Sequence, residues 1–385
     1  MKTKLPEKFS DSQIGKKADK ILRSCVHYGF CLATCPTYQL LGNELDSPRG
    51  RIYLIKSALE QQQFSQATIK HLDQCLTCRA CETTCPSGVE YGELVDIGRA
   101  AVEYKRALWQ KVIRKSVREL LTNPWVFNLV GSLFRHSSIQ TPLVVEPEKL
   151  CGQVLLLSGC VQPTLAPNIN HATKNVLATL GIKVVETTQN ECCGAIDQHL
   201  SAQDTALNKI KHNIDSWSGQ FESDFDAIIS TASGCGVMIK DYPTLFEQGD
   251  PYYQKALKVS EKTKDIAEYL LEKDLSVLSS KITNISYHAP CTLQHGQKLP
   301  GLVEGLLEKL GYTLSPVTDA HLCCGSAGTY SIFQPSISKQ LRKKKLHHLS
   351  DSKPDIIVTA NIGCLMHLSK DSEIPVKHWI ELLDT

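Results

Sequence analysis

The pattern of apolar and polar positions divides the chain into a helical N-terminal part and two later parts that combine strands with helices. In NELDSPRGRIYLIKSALEQQQF, Ser47-Pro48 is a favourable helix start, and the apolar residues after it recur at helical spacing. The β-branched runs DAIISTASGC and DIIVTANIGC instead predict buried strands, each ending near a cysteine. The pattern therefore predicts an α + α/β protein.

The two strand-containing parts are duplicates of each other. Each contains the pattern C-x31-CCG and, later, one more cysteine after a β-branched run. The residue pattern of each half predicts the order β–α–β–loop–α–β. This order indicates a Rossmann-like domain with a mainly parallel sheet. In such sheets ligands bind at the carboxyl ends of the strands, where these cysteines fall. We predict two metal sites: the first CCG site at Cys160, Cys192, Cys193 and Cys235, and the second CCG site at Cys291, Cys323, Cys324 and Cys364.

Residues 102–137 separate the helical part from the duplicated part. The stretches ALWQKVIRKSVRELL and NPWVFNLVGSLF predict an amphipathic helix, a break at Asn123-Pro124 and a second apolar helix. We interpret them as linker helices packed on the core, and the alternative is a surface that docks on a partner subunit or a bilayer. The predicted domains are 1–105 (helical, ferredoxin-type), 106–150 (helical linker), 151–280 (first CCG domain) and 281–385 (second CCG domain), with Pro142 to Pro147 as the boundary before the duplication.

Composition and charge indicate which classes of function are compatible with the chain. The 385 residues are 42% hydrophobic and 21% charged, as in ordinary soluble proteins of two or three domains. A net charge of +2 indicates neither nucleic acid nor an acidic membrane surface as a partner on bulk electrostatics. The N-terminal stretch MKTKLPEKFSDSQIGKKADK lacks the apolar core of a signal peptide, and no run approaches membrane-spanning length, so we expect a cytosolic protein.

The 16 cysteines are the most informative feature of the composition. Disulfides are a poor explanation for them in a reducing compartment, whereas grouped thiolates suit zinc or iron–sulfur clusters. Cys151 alone falls outside every group, and we interpret it as structural.

Two cysteine runs in the N-terminal part predict iron–sulfur clusters. CLTCRACETTCP has the bacterial ferredoxin spacing C-x2-C-x2-C-x3-C-P, whereas CVHYGFCLATCP has Tyr28 in place of the second cysteine. A zinc site would show two CxxC pairs without the Cys-Pro step. Paired runs of this kind exchange their fourth cysteines. We therefore predict a cluster B site at Cys75, Cys78, Cys81 and Cys35, and a cluster A site at Cys25, Cys31 and Cys85 with Tyr28 at the fourth corner.

Tyr28 leaves three outcomes open for the cluster A site. It can hold a 3Fe–4S cluster, hold a 4Fe–4S cluster with oxygen at one iron, or have lost its cluster while the fold survives. A phenolate ligand is costly because the ordinary pKa of tyrosine is near 10. We favour the 3Fe–4S cluster here and expect a 4Fe–4S cluster at the cluster B site, and a cluster in one or both CCG domains stays open.

Charged side chains near the cysteines have two interpretations each. Arg49 and Arg51 either hydrogen-bond near a cluster or, as we expect, cap and solvate a helix. His288, His295 and His321 flank the second CCG site, where they either tune it by hydrogen bonding or, as is commoner for a lone histidine, are ordinary satisfied polar groups. The basic run 341–345 is interpreted as a solvated helix face. The chain lacks G-x-G-x-x-G, so a nicotinamide site is not supported.

Two ferredoxin-type runs followed by two CCG halves resemble the iron–sulfur subunits of the glycolate oxidase and heterodisulfide-reductase-like family. The resemblance covers nearly the whole chain. It is carried by CVHYGFCLATCPTYQLLGNELDSPRGRIYLIK, HLDQCLTCRACETTCPSG, NECCGAID, TASGCG, PCTLQH, HLCCGSAGTY and TANIGC.

The resemblance implies an electron-transfer subunit that serves flavin-bearing partners, which oxidise glycolate or another 2-hydroxy acid. The clusters would pass the electrons towards quinone at the cytoplasmic face of the membrane. The family expects a cysteine at position 28, and Tyr28 resembles the apolar replacement that accompanies a 3Fe–4S cluster in the succinate dehydrogenase iron–sulfur subunit. Heterodisulfide reductases have a further cysteine near the end of each half, and Ala232 and Asn361 occupy those positions here.

Three alternatives remain open from the sequence. The chain can be a thiol–disulfide enzyme with the CCG sites as catalytic centres, although the residues at 232 and 361 count against it. It can be a binding protein with structural zinc, or an electron-transfer subunit for lactate or glycerol 3-phosphate oxidation. We find no nucleophile–base set in the sequence, so we predict that the substrate binds on a partner.

Overall fold

The computed structural model describes residues 1–131, 150–186, 191–219, 225–278 and 283–384. The N-terminal helices are α1 Glu7–Ser10, α2 Gln13–Ser24, α3 Phe30–Ala33, α4 Pro36–Leu41, α5 Pro48–Gln61, α6 Gln66–Asp73, α7 Ala80–Thr83, α8 Tyr91–Glu103, α9 Leu108–Thr122 and α10 Pro124–Gly131. The first half contains β1 Gly152–Leu157, α11 Gln162–Leu165, α12 Pro167–Thr179, β2 Ile182–Glu186, α13 Ala195–His199, α14 Gln203–Ser218, β3 Ala227–Ser230, α15 Ser233–Lys240, α16 Pro251–Lys262, β4 Thr263–Asp265 and α17 Ile266–Leu271. The second half contains β5 Asn284–His288, a π-helical turn Thr292–Gly296, α18 Leu302–Lys309, β6 Thr313–Leu314, α19 Tyr330–Phe333, α20 Pro335–Ser350, β7 Ile356–Thr359, α21 Ile362–Leu368 and β8 Val376–His378. Short 3-10 turns lie at Glu44–Asp46, Tyr242–Leu245 and Trp379–Leu382.

The N-terminal part is helical, as the sequence predicts. Its core is formed by residues such as Leu22, Ile55, Leu72 and Leu94, which the surrounding helices cover completely. Helix α5 begins as expected, because the side chain of Ser47 accepts a hydrogen bond from the third residue of the helix. Each cysteine run begins in the loop before a short helix, α3 or α7, continues through that helix and ends just after it.

Each duplicated half is built on a four-stranded parallel sheet. The strand orders are β2-β1-β3-β4 and β6-β5-β7-β8. The three-strand pattern predicted for each half is therefore confirmed, and one parallel edge strand is added to each sheet. These added strands are only three residues long, which explains why the sequence pattern did not indicate them. One apolar core extends across both halves, with Ile229 and Ile266 on one side and Ile357 and Trp379 on the other.

The linker helices break at Asn123, as predicted, but the apolar face of α9 is exposed and does not pack on the core as we interpreted it. Its apolar residues Leu108 and Trp109 are 78% and 64% exposed. Its arginines lie on the inner face instead, where Arg118 Nε is 3.1 Å from the fully buried carboxylate of Asp197. The predicted boundary at Pro142 to Pro147 lies outside the described residues.

Two smaller interpretations are corrected by the structure. In the basic run on α20, Lys343 and Lys344 are exposed, but Arg342 and Lys345 are buried, so this is not simply a solvated face. Lys345 is 2% exposed because its ammonium donates to the backbone carbonyl of Asp319 at 2.7 Å. Cys151 is exposed rather than buried.

The N-terminal part packs against the second half beside the cluster B site. Leu76 and Tyr330 belong to one buried apolar group, and the hydroxyl of Tyr330 donates to the carbonyl of Gln74 at 3.1 Å. Nearby, Thr83 Oγ1 lies 3.1 Å from His295 Nδ1. Two cysteine-bearing regions that are far apart in the chain therefore become neighbours.

Candidate metal centres

The structure brings together the four cysteines predicted for the cluster B site. Burial raises the pKa of Cys78 and Cys81 well above the ordinary value, and the thiols of Cys35 and Cys75 add to both shifts. The loop that holds them winds through left-handed backbone at Thr77, whose N–H donates to Cys75 Sγ at 3.4 Å. A backbone nest of this kind suits an anionic centre bound by thiolates.

Two buried polar side chains contact the cluster B thiols. The guanidinium of Arg51 lies 4.0 Å from Cys35 Sγ, and the hydroxyl of Tyr91 lies 3.6 Å from Cys75 Sγ. Burial alone lowers the pKa of Arg51, but Cys75, Tyr91 and Cys35 raise it overall. The interpretation of Arg51 as a solvated capping residue is therefore wrong, because it is 1% exposed.

Arg49 contacts the cluster A site through its backbone, which hydrogen-bonds to Cys31, while its side chain is near the surface. Its Nε pairs with Glu44 Oε1 at 2.9 Å near the surface.

The three cysteines predicted for the cluster A site line one cavity together with Tyr28. Burial, followed by the thiols of Cys25, Cys35 and Cys85, raises the pKa of Cys31 to about 11. The ring of Tyr28 is 64% exposed and lies 6.2 Å from that of Phe30. The fourth corner of this site therefore faces solvent.

The first CCG site also assembles four thiols. Cys160 follows β1, the adjacent pair forms the CCG turn, and Cys235 lies in the first turn of α15. Hydrogen bonds from Cys160 and Cys193 hold the pKa of Cys192 well below its ordinary value, while the bond to Cys192 and burial raise that of Cys160. Lys209 lowers the pKa of Cys192 further.

The second CCG site repeats this arrangement. Cys291 Sγ lies 3.7 Å from Cys323 Sγ, and hydrogen bonds continue from Cys323 to Cys324 and from Cys324 to Cys364. The hydrogen bond with Cys323 lowers the pKa of Cys324, but the bond with Cys364 and burial together raise this pKa well above its ordinary value. The site also adjoins the cluster B site, since Cys78 and Cys291 interact electrostatically.

The three histidines near the second CCG site differ in position. A ring nitrogen of His288 lies within 4.8 Å of the sulfurs of Cys324 and Cys364. His295 instead contacts the carbonyl of His321 at 3.1 Å and the N-terminal part. Among these histidines, only His288 lies close enough to two cysteines, within the described part of the chain, to share a metal ion with them.

The donor sets fit a thiophilic metal or cluster. All 16 cysteines are free, and the sites combine soft sulfur ligands with burial. Thiols of the cluster B site and of both CCG sites also line a shared cavity of about 930 Å³, among them Cys78, Cys193 and Cys323.

Sequence reasoning missed several side chains that act on these sites. Tyr91, Lys209 and Lys345 are distant in sequence from the cysteines that they influence. Their positions depend on helix packing, so no local motif could have indicated them.

Comparisons with known proteins agree with this division of the chain. Residues 21–89 match the family of 4Fe-4S dicluster domains, and residues 154–240 and 285–369 match that of cysteine-rich (CCG) domains. None of the helices in the described ranges has the length and apolar character that a bilayer crossing requires.

The chain is also similar to whole proteins of known name. It is 47% identical to the glycolate oxidase iron-sulfur subunit of Escherichia coli (strain K12), with 100% of this chain and 98% of that protein covered. It is 30% identical to the probable glycolate oxidase iron-sulfur subunit of Bacillus subtilis (strain 168), over 90% of this chain and 88% of the relative. Lactate utilization protein A of an Exiguobacterium strain is 26% identical over 60% of this chain and 96% of its own length.

Proposed function

The chain belongs to the family of glycolate oxidase iron–sulfur subunits. On this basis we propose that it accepts electrons from flavin-bearing partner subunits and passes them towards quinone. The partner subunits oxidise glycolate or a related 2-hydroxy acid. The substrate site lies on a partner. In this proposal the cysteines of the cluster A site, the cluster B site and the two CCG sites are the metal ligands.

The observation that carries this proposal is the contiguity of the thiol sets. Cys31 of the cluster A site interacts electrostatically with Cys35 of the cluster B site. Cys78 of the cluster B site interacts in turn with Cys291 and Cys323. A chain of neighbouring centres is the arrangement that an electron relay needs.

The protein side chains around the cluster B site support this role. A bound iron–sulfur cluster takes up and releases single electrons, and its potential depends on charge, hydrogen bonds and exposure. Arg51 and Tyr91 direct polar hydrogens at the thiols, which favours the more negative, reduced state. Leu76 and Tyr330 form a buried apolar contact on one side of the loop. The residues present therefore fit the proposed group.

We assign a 3Fe–4S cluster to the cluster A site. Cys25, Cys31 and Cys85 provide three thiols, and the exposed position of Tyr28 supports an unligated corner. This site is also near the surface, where it can exchange electrons with a partner.

The exposed apolar face of α9 is our candidate for contact with the cytoplasmic face of the membrane. Trp109, Val112 and Ile113 lie on this face, and Lys105 and Lys115 are exposed beside them. An apolar stripe with aromatic and basic residues is typical of helices that lie in the plane of an anionic bilayer surface.

The test of this proposal combines metal analysis with reconstitution. The chain should be purified anaerobically, with iron, sulfide and electron paramagnetic resonance (EPR) measured, and then mixed with the flavin-bearing subunits. We expect glycolate to reduce the clusters only in the mixture. A chain that holds no iron even after reconstitution would contradict the proposal.

The first CCG site gives one observation in favour of a second function. Cys192 accepts hydrogen bonds from the thiols of Cys160 and Cys193, and neighbouring thiols of this kind can take part in thiol–disulfide exchange. That alternative predicts that the isolated chain reduces a disulfide substrate, and that Cys192→Ser abolishes this reaction.

A further inference from the structure

A buried histidine without a hydrogen-bond partner marks the second CCG site. His288 ends β5 and is 1% exposed. Both of its ring nitrogens lack a hydrogen-bond partner among the residues that the structure describes. Leaving a buried polar group unsatisfied costs about 1–3 kcal/mol. Such a group in a well-packed core indicates a partner that is not a protein atom.

Two thiols lie where that partner would bind. A ring nitrogen of His288 and the sulfurs of Cys324 and Cys364 all lie within 4.8 Å of one another. Three different elements supply them: the end of β5, the CCG turn and the first turn of α21. The cysteines are 0% and 4% exposed, so the three donor atoms face one enclosed point.

The charge and softness of these donors select the metal. Two thiolates and a neutral imidazole around a divalent ion give no net charge, which suits a fully buried site. Mixed sulfur and nitrogen ligands are those that zinc prefers, and three protein ligands leave a fourth coordination position. We propose that His288, Cys324 and Cys364 bind one zinc ion in the second half.

The first half cannot form the same site. The residue that corresponds to His288 there is Leu157, which ends β1, while Cys193 and Cys235 correspond to the two cysteines. The duplicated halves therefore differ in one ligand, and the zinc site is specific to the second half.

Residues around the proposed ligands position one of them and connect the zinc site to the rest of the second CCG site. The amide nitrogen of Asn361 lies 3.6 Å from Cys364 Sγ, as expected for a group that positions a metal ligand. The remaining pair, Cys291 and Cys323, lies against the cluster B site. The three proposed zinc ligands are different residues from the ligands assigned to the cluster A and B sites, so zinc and iron can be measured separately.

The test measures zinc and iron separately on the full chain. The wild-type protein and the variant His288→Leu, which places the residue of the first half in the second, should be purified anaerobically and analysed for zinc, iron and sulfide. We expect one zinc per wild-type chain and a loss of more than about tenfold in zinc affinity in the variant. Iron and the EPR signals of clusters A and B should not change, and His295→Gln should retain zinc.

A second variant distinguishes the loss of a zinc ligand from a folding defect. His288→Cys should retain the metal as a three-thiolate site, and after cobalt(II) substitution it should show stronger sulfur-to-cobalt absorption than wild type. Zinc content that is the same in wild type and His288→Leu would overturn the proposal. An iron–sulfur cluster in the second half that is unaffected by His288→Leu would also overturn it. If the wild-type chain shows no EPR signals from clusters A and B, the proposed electron relay is wrong. The zinc proposal does not depend on that result.

Discussion

At the scale of single residues, our proposal makes Tyr28 the residue that sets the number of irons in the cluster A site. We predict that Tyr28→Cys adds one iron per chain and abolishes the 3Fe–4S signal of the oxidised protein, because a fourth thiolate completes the cubane. Iron analysis and EPR measure both effects.

Tyr28→Phe is the matched control for this prediction. It removes only the hydroxyl from a ring that is 64% exposed, so the signal should persist. A signal lost in the phenylalanine variant would identify the tyrosine oxygen as a ligand and contradict the assignment.

We predict that Tyr91 tunes the reduction potential of the cluster B site through one hydrogen bond. Tyr91→Phe removes the donor 3.6 Å from Cys75 Sγ, which destabilises the reduced state more than the oxidised state. If the reduced state loses about 1 kcal/mol of stability relative to the oxidised state, the reduction potential falls by roughly 40 mV for a one-electron couple. A redox titration followed by EPR measures this shift. Tyr104→Phe, at an exposed ring, should leave the potential unchanged, and an unchanged or higher potential in Tyr91→Phe would rule out this role.

At the scale of elements, the CCG turn of the second half requires glycine. Gly325 has φ +92°, and a Cβ there would lie 2.8 Å from the carbonyl oxygen of Ser338. We predict that Gly325→Ala costs about 2 kcal/mol or more and lowers the midpoint of thermal unfolding by about 4 °C or more.

Gly305→Ala is the control for the turn. Gly305 lies on the exposed side of α18, where a Cβ meets open space, so alanine should leave the midpoint unchanged or raise it slightly. Equal midpoints for the two variants would show that the turn tolerates a side chain.

Helix α9 gives a prediction about membrane contact. We predict that Val112→Ser weakens binding to vesicles containing phosphatidylglycerol by about tenfold, because loss of one buried aliphatic side chain costs about 1.5 kcal/mol. Sedimentation with vesicles measures the binding. Val277→Ser, at a valine that is 62% exposed elsewhere in the chain, should bind as wild type does. Equal binding by both variants would exclude α9 as the contact.

The elements also show what the sequence could predict. Helix α5, the break after α9 and three strands of each sheet follow from local patterns of capping, proline and β-branched residues. The orientation of α9 did not follow, because the carboxylate of Asp197 that attracts Arg118 is remote in sequence. The short edge strands also carry too few residues for a pattern.

At the scale of the whole molecule, contact between distant parts of the chain protects the cluster B site. We predict that Tyr330→Phe, which removes the hydrogen bond to the carbonyl of Gln74, increases the rate of iron loss to a chelator about fivefold, as a loss of about 1 kcal/mol implies. Absorbance of the iron–chelator complex measures the rate.

Tyr312→Phe is the matched control, since it removes a similar bond, to the carbonyl of Leu382, away from the cysteines. Iron loss that is equally fast in both variants would indicate a general loss of stability.

The cysteines show how far the sequence could predict contacts in the whole molecule. The spacing of the ferredoxin runs and the duplicated CCG pattern predicted which cysteines approach one another within each site. The contact between the cluster B site and the second CCG site could not be predicted, because Leu76 and Tyr330 are brought together by the packing of domains.

The same contact has a consequence for how the protein matures. Tyr330 and Leu341 pack against the loop that carries Cys78, so this side of the loop is accessible to iron and sulfide only until the second half folds against it. At a synthesis rate of about 5–20 residues per second, roughly 10–50 s pass between translation of Cys81 and of Tyr330. We therefore expect cluster insertion to begin on the nascent chain, with docking of the last domain as the step that seals the loaded protein.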